Sequence, residues 1–195
     1  TDGSPLSRAL RSLWHYHAEM LQFHTNLTAT HNYRANPLGW PLMLRPTSFY
    51  YETPATCGST DCSQEVIPLG NPLVWWLGAA ALLWLAVLVA RRASNDVLPM
   101  LVGFAAGWLP WLYFMSRTTF TFYSVVFLPY TAMAVAKAAH LVAHRGQDLT
   151  DRWRPATVGF VLAVAVLTAF FYPVLTGVSI PYSAWQLRMW LPSWV

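Results

Sequence analysis

Apolar and polar positions divide the chain into a periodic opening, an irregular middle and a long apolar remainder. Between Pro5 and Leu27, Leu6, Leu10, Leu13, Trp14, His17, Met20, Leu21, His24 and Leu27 recur at helical spacing. Arg8, Arg11, Glu19 and Gln22 lie largely off that stripe. The pattern predicts an amphipathic helix too polar to cross a bilayer. Such a helix lies in a membrane interface or packs beneath other parts of a larger protein. The periodicity then stops, and His31 to Glu52 is broken by prolines and crowded with aromatics and arginine. Trp, Tyr and Arg each offer an apolar body and a polar tip, which suits a water–lipid boundary and a ligand that straddles it.

Four apolar runs follow, over about Pro72–Ala90, Val97–Met115, Phe120–His140 and Thr157–Ile180. Each has roughly the 20 residues that cross ~30 Å of hydrocarbon. Pro99, Pro110, Pro129 and Pro173 fall near or within them, which membrane helices tolerate when neighbours satisfy the freed carbonyls. Gly103 and Gly107, with Ala105 and Ala106, form a small-residue face suited to close helix contact. Trp185, Trp190 and Trp194 in the tail read as an interfacial anchor or, alternatively, as a wall of a substrate groove. The expected architecture is an all-α integral membrane fold. Residues 1–71 form an extracytoplasmic amphipathic helix and an aromatic, Pro-rich loop, 72–180 four transmembrane helices, and 181–195 an interfacial tail.

Composition agrees with a membrane protein: of 195 residues 55% are hydrophobic and 10% charged, against about 25% charged in soluble domains. The net charge of +4 is spread along the chain, which excludes a nucleic-acid face. Thr1 is not an initiator Met and no signal-peptide pattern follows it, so a fragment or processed product is expected. Arg91 and Arg92 separate the first two runs, and Arg145, Arg152 and Arg154 the last two, with Lys137 near the same edge. These short basic loops share one side and mark it as cytoplasmic. The long N-terminal segment and the C-terminus are then extracytoplasmic.

Arg45 and Arg117 are the candidate ligand contacts, because an arginine at a membrane boundary holds a phosphate through two parallel hydrogen bonds. The alternative is plain headgroup anchoring. Cys57 and Cys62 read either as two free thiols or as a disulfide in an oxidising compartment. His15, His17, His24 and His31 invite a metal reading, but His17 and His24, which share a helix face, are seven apart where metal sites more often use i,i+4 pairs plus a carboxylate, and Glu19 is not placed on that face, so no metal site is expected. Asn26-Leu27-Thr28 is a glycosylation sequon best read as chance. No phosphate-binding glycine loop, dinucleotide fingerprint or hydrolase elbow is present. None of the eight acidic residues forms the paired carboxylates common in glycosyl chemistry, and Asp96, Asp148 and Asp151 fall on the cytoplasmic side.

Longer motifs carry a resemblance. They are His31-x-Tyr33, Pro37-x-x-Trp40-Pro41, Arg45-Pro46 and Phe49-Tyr50-Tyr51, then Gly107-Trp108-Leu109-Pro110-Trp111 leading to Arg117-x-x-Phe120-x-x-Tyr123. The closing stretch is Arg188-Met189-Trp190-Leu191-Pro192-Ser193-Trp194. In order and spacing they resemble the C-terminal four-transmembrane region of the protein O-mannosyltransferases, especially the actinobacterial type. The resemblance covers nearly the whole chain and runs into the family's own C-terminus. It implies the C-terminal part of a GT-C-type fold in the plasma membrane of an actinobacterium-like organism. It also implies an enzyme that moves mannose, with inversion, from polyprenyl or dolichyl phosphate to Ser or Thr of secreted proteins at the outer face. The lipid-phosphate mannose donor is then a co-substrate and no cofactor is expected. The partners implied are that donor, the acceptor protein, membrane lipid and the N-terminal part of the same enzyme. The family's catalytic Asp, followed by Glu, belongs to a first outer loop with no counterpart here. No catalytic residue is therefore carried over, and these residues alone are expected to be inactive; were they active, Glu19, Glu52, Asp61 and Glu65 would be the candidates. Arg117, Arg45, Tyr123, Trp40 and His31 are the expected carrier-phosphate and substrate contacts. The chain departs from eukaryotic members in lacking the inserted β-trefoil and in having Phe122 where they tend to have His. Two other readings stay open: a related lipid-carrier glycosyltransferase with another sugar, and a non-catalytic four-span scaffold.

Overall fold

The computed structural model describes residues 4–27, 29–92, 95–143 and 150–195. Arg145 and Asp148 of the basic loop and Thr28 of the sequon lie outside the described residues, as do the side chains of Asp151, Arg152 and Arg154. The periodic opening is one helix, α1 (Pro5–Thr25), started by Ser4, whose side chain accepts from Ser7 N–H, with proline in the first turn. None of its residues is buried.

The four apolar runs become α2 (Pro72–Ala90), α3 (Leu98–Tyr113), α4 (Leu128–Ala143) and α5 (Thr150–Thr176). The Asn71 side chain caps α2 by accepting from Leu73 N–H at 3.1 Å, and its amide donates to Val164 O and Thr168 Oγ1 on α5. Helices α2 and α4 pack closely because Gly78 leaves room for Thr131; a Cβ at Gly78 would lie 2.2 Å from Thr131 Cγ2. Gly103 does the same for the Tyr130 ring, so the small-residue face of α3 receives α4. Ala81, Leu82 and Leu85 of α2 meet Val97 and Ala134 at one end of the bundle. At the other end Trp75, Phe127, Phe171 and Val174 join Trp40, Met43, Trp185 and Trp194 in a larger aromatic core. That second core joins the start of α2, the start of α4 and the end of α5, so helices successive in the chain alternate in direction while the closely packed α2 and α4 run the same way.

Helix α2, with 19 residues, and Pro155–Thr176 of α5, with 22, are long and apolar enough to cross a membrane. Helices α3 and α4 have 16 residues each, about 24 Å at 1.5 Å per residue, and are shorter than the sequence predicts. The third run is broken. Phe120 is extended, Thr121–Val126 is a 3-10 helix, and α4 starts at Leu128, with Pro129 in its first turn. A helix running back through Pro129 would lose a backbone hydrogen bond and meet the ring. The Thr118, Thr119 and Thr121 hydroxyls instead donate to the carbonyls of Ala29, Ala35 and Arg45. The fourth run stops short of Ile180, because Gly177 takes a left-handed conformation (φ 72°) that ends α5.

The fold is predominantly helical, as expected, with one addition: a small antiparallel sheet in the order β1-β2-β3 joins β1 (Tyr50–Glu52), β2 (Cys62–Val66) and β3 (Ile180–Pro181). Tyr51 faces Glu65, and Ser63 faces Ile180. The short helix α6 (Tyr182–Gln186) follows. In the tail, Trp185 and Trp194 are 5% and 2% exposed and sit in the aromatic core, whereas Trp190 is 41% exposed. Their indole N–H groups are committed inside the protein, Trp194 to Met43 O and Trp185 to the Glu65 carboxylate.

Candidate functional site

Residues 29–71 and the tail together form a cap over one end of the helices. Asn36 starts a 3-10 helix (Pro37–Leu42) by accepting from Leu38 N–H. This turn drops Trp40 into the core, fully buried, where its carbonyl accepts from Trp75 Nε1 at 2.9 Å. Trp108 Nε1 donates to Pro37 O and Trp76 Nε1 to Leu42 O, so three helix tryptophans hold the loop by its carbonyls. Met43, at φ 54°, then turns the chain toward Arg45.

The five residues singled out from the sequence fall on one aromatic belt. The Arg45 guanidinium lies 5.5 Å from the Tyr33 ring centre, and Tyr33 borders His31. His31 meets Phe120 edge-on at 5.1 Å, and Phe120 meets Tyr123. Tyr123 stacks on Trp111 at 4.7 Å with an interplanar angle of 11°, and Trp40 backs both. Arg117 closes the belt, 5.7 Å from the Trp111 ring centre. Phe122 stacks on Phe120 at 5.3 Å and touches Phe49.

The two arginines differ in what occupies their donors. Arg45 Nη1 donates to Ser193 O and Val195 O, both at 2.9 Å, and Nη2 to Asn32 O at 3.2 Å. It ties loop to tail. The Arg117 side chain has one hydrogen bond among the described residues, from Nη2 to His24 Nδ1 at 3.3 Å, and its buried Nε–H has none. A buried donor without a partner costs about 1–3 kcal/mol. Beside it lies an apolar cavity of about 140 Å³ lined by Leu21, His24, Thr25, Pro110, Trp111, Phe114 and Arg117. A cation at the wall of an apolar cavity suits a ligand with an anionic head and a hydrocarbon body. The sequence placed Trp111 here but gave no sign of His24, which lies 93 positions from its partner.

Side-chain carboxylates stay away from this belt among the described residues. Glu19 faces His15 on α1 at 3.9 Å, Glu52 is exposed on β1, and Asp96 pairs with Lys137 at the opposite end. Glu65 is buried on the central strand, where burial pushes its carboxyl above the ordinary range; hydrogen bonds from Trp185 Nε1 and Ser48 oppose that shift. A raised folded-state value means that the stabilisation is full below the unfolded-state value and is lost as pH rises through the folded one. Glu65→Gln should therefore abolish that loss, so that wild type falls behind the variant in thermal stability as pH climbs above the carboxylate range. Equal slopes for the two proteins in detergent would show that Glu65 carries no such penalty. Cys57 and Cys62 form a disulfide in the β1–β2 connection (Cα–Cα 5.8 Å). Among the described residues no three His, Cys, Asp or Glu side chains gather as a metal site would need.

Comparison with known proteins fits this geometry. Residues 9–194 match the family described as the C-terminal four TMM region of protein-O-mannosyltransferase. The chain is 34% identical to the polyprenol-phosphate-mannose–protein mannosyltransferase of Mycobacterium tuberculosis over 97% of its own length and 38% of that protein's. It is 35% identical to the Corynebacterium glutamicum protein of the same name, over 92% of this chain and 36% of that one. It therefore spans less than two fifths of the length of these relatives. Its fold is similar to that of a chain in the Saccharomyces cerevisiae protein O-mannosyltransferase Pmt1-Pmt2 complex bound to the sugar donor. There the TM-score is 0.75 at 22% identity, over all of this chain and 27% of that one.

Proposed function

The chain belongs to the protein O-mannosyltransferase family, and from that premise we propose that it is the carrier-facing membrane portion of a glycosyltransferase. That enzyme transfers mannose from a polyprenyl phosphate to Ser or Thr of secreted proteins. The observation that carries this reading is Arg117, with its Nε–H buried and unpaired beside an apolar cavity at the end of α3. In the transfer, the acceptor oxygen bonds to the anomeric carbon as the bond from that carbon to the phosphate oxygen breaks. The electron pair leaves with the polyprenyl phosphate, and the guanidinium stabilises the charge that develops there. The acceptor proton goes to a general base supplied by sequence outside these 195 residues. Transfer from radiolabelled polyprenyl phosphate mannose to a Ser/Thr-rich peptide tests this in membranes. Activity is expected when the upstream sequence is restored and not from residues 1–195 alone. Transfer from a carrier with another sugar and not from the mannose donor would overturn the substrate reading. Silence with every carrier would favour the scaffold, which the lack of a carboxylate on the belt also favours for these residues taken alone.

The same proposal has α2 to α5 cross the plasma membrane, with the cap, the disulfide and the tail outside. Arg91 and the Lys137–Asp96 pair sit at the uncapped end, as a cytoplasmic side requires. A cysteine introduced as Arg91→Cys should resist a membrane-impermeant thiol reagent in intact cells, with Cys57 and Cys62 silent in their disulfide. Labelling of that cysteine would reverse the orientation.

A further inference from the structure

We propose that His24 is a positioning residue for Arg117, and that it makes α1 a strap whose seating orients the anion-binding guanidinium. The inference rests on the reading of Arg117 as the carrier-phosphate contact and adds the element that controls it. Helix α1 has no buried residue, and Leu6, Leu10, Leu13, Trp14 and Phe23 are all more than half exposed. Its side-chain hydrogen bonds at Ser7, His17 and Thr25 stay within the helix or its cap. Among the described hydrogen bonds, the one that leaves the helix runs between His24 Nδ1 and Arg117 Nη2.

The rest of the strap is fixed next to the same arginine. Thr118 Oγ1 donates to Ala29 O, Thr119 Oγ1 to Ala35 O at 2.8 Å, and Ala35 N–H to Thr119 O at 2.8 Å. The segment leaving α1 is thus pinned to the residues that directly follow Arg117. Trp111 supports one face of the guanidinium and His24 takes one Nη2 proton, which fixes the plane in two directions. The buried Nε–H is left without a partner among the described residues, and a phosphate oxygen entering through the adjoining cavity would satisfy it.

Because a guanidinium has only donors to offer, His24 is the acceptor, through Nδ1, with its ring proton on Nε2. The groups that face it are Leu21 and Thr25 with the neighbouring Phe23 on α1, Pro110 and Trp111 of α3, Phe114 just beyond that helix, and Arg117.

The test uses the complete enzyme in membranes, with inserted protein quantified for each variant. His24→Ala is expected to raise KM for polyprenyl phosphate mannose roughly tenfold, the scale of one hydrogen bond to a charged group. Most of the loss should fall in KM. His24→Asn, whose amide oxygen can stand in for Nδ1, should recover most of it. An unchanged KM in the Ala variant or failure of Asn to rescue would each overturn the positioning role. Arg117→Ala measured alongside separates the two readings. If it is harmless, the phosphate contact itself fails; if it is damaging while His24→Ala is silent, only the strap fails.

Discussion

Arg117→Ala in the complete protein is expected to lower turnover with polyprenyl phosphate mannose by about 10²-fold or more. Removal of a preorganised charge-stabilising donor elsewhere has that scale. The physical reason is the state of this guanidinium before any ligand arrives. It already lies on Trp111 with one proton engaged, so on the proposed reading its plane is set before a phosphate arrives. A leaving phosphate gains charge as its bond to sugar breaks, so the interaction strengthens toward the transition state and its loss falls on kcat as well as KM. Arg117→Lys should recover only part, because an ammonium is a point charge without the flat pair of donors. Arg45→Ala should behave differently. Its donors hold Asn32, Ser193 and Val195, so the damage is expected in the seating of the tail, visible as lower thermal stability. Unchanged turnover and carrier affinity in Arg117→Ala would remove Arg117 from the mechanism.

The contrast between the two arginines also shows what a sequence discloses. Both stand in motifs rich in aromatics, and both read equally well as phosphate contacts. What separates them is whether carbonyls have already claimed their protons, and those carbonyls come from positions up to 150 residues away. The helices were more legible. Helix α2 runs over the same residues that hydrophobicity marked, because Asn71 and Pro72 are a strong start signal read locally. The third apolar run misled because Phe120 to Phe127 is apolar enough by composition to continue a membrane helix. Only the folded chain shows that stretch turned into a 3-10 helix, with the Thr121 hydroxyl spent on the cap. The sheet was invisible for a related reason. Its strands have three, five and two residues, and β3 finds β2 across more than a hundred positions. No window of local periodicity reaches that far. The tail tryptophans are the same lesson at single-residue scale: spacing suggests an anchor for all three, yet two are core and one is not.

That split predicts unequal costs. Trp194→Ala should destabilise the protein by about 3–5 kcal/mol, the range for removing a buried aromatic and leaving a cavity. Its ring packs against Phe171 and Trp76, and its Nε1–H satisfies Met43 O at 2.8 Å, the residue at which the cap turns toward Arg45. Its neighbours add to the seam, with Ser193 Oγ donating to Leu44 O and Arg45 holding the carbonyls on either side of the tryptophan. Trp194→Phe keeps most of the apolar contact but strands the Met43 carbonyl, so its cost should sit lower, about 1–3 kcal/mol. Trp190→Ala, at a half-open position against Phe171 and Trp76, should cost less than Trp194→Ala. Thermal unfolding of the three variants in one detergent gives the order directly. Equal midpoints for Trp194→Ala and Trp190→Ala would mean that the tail serves the lipid boundary after all. The predicted order would instead make the tail a structural latch on the loop that carries His31, Trp40 and Arg45. On the proposed reading, carrier affinity should then fall in Trp194→Ala, because the belt it secures has lost its floor.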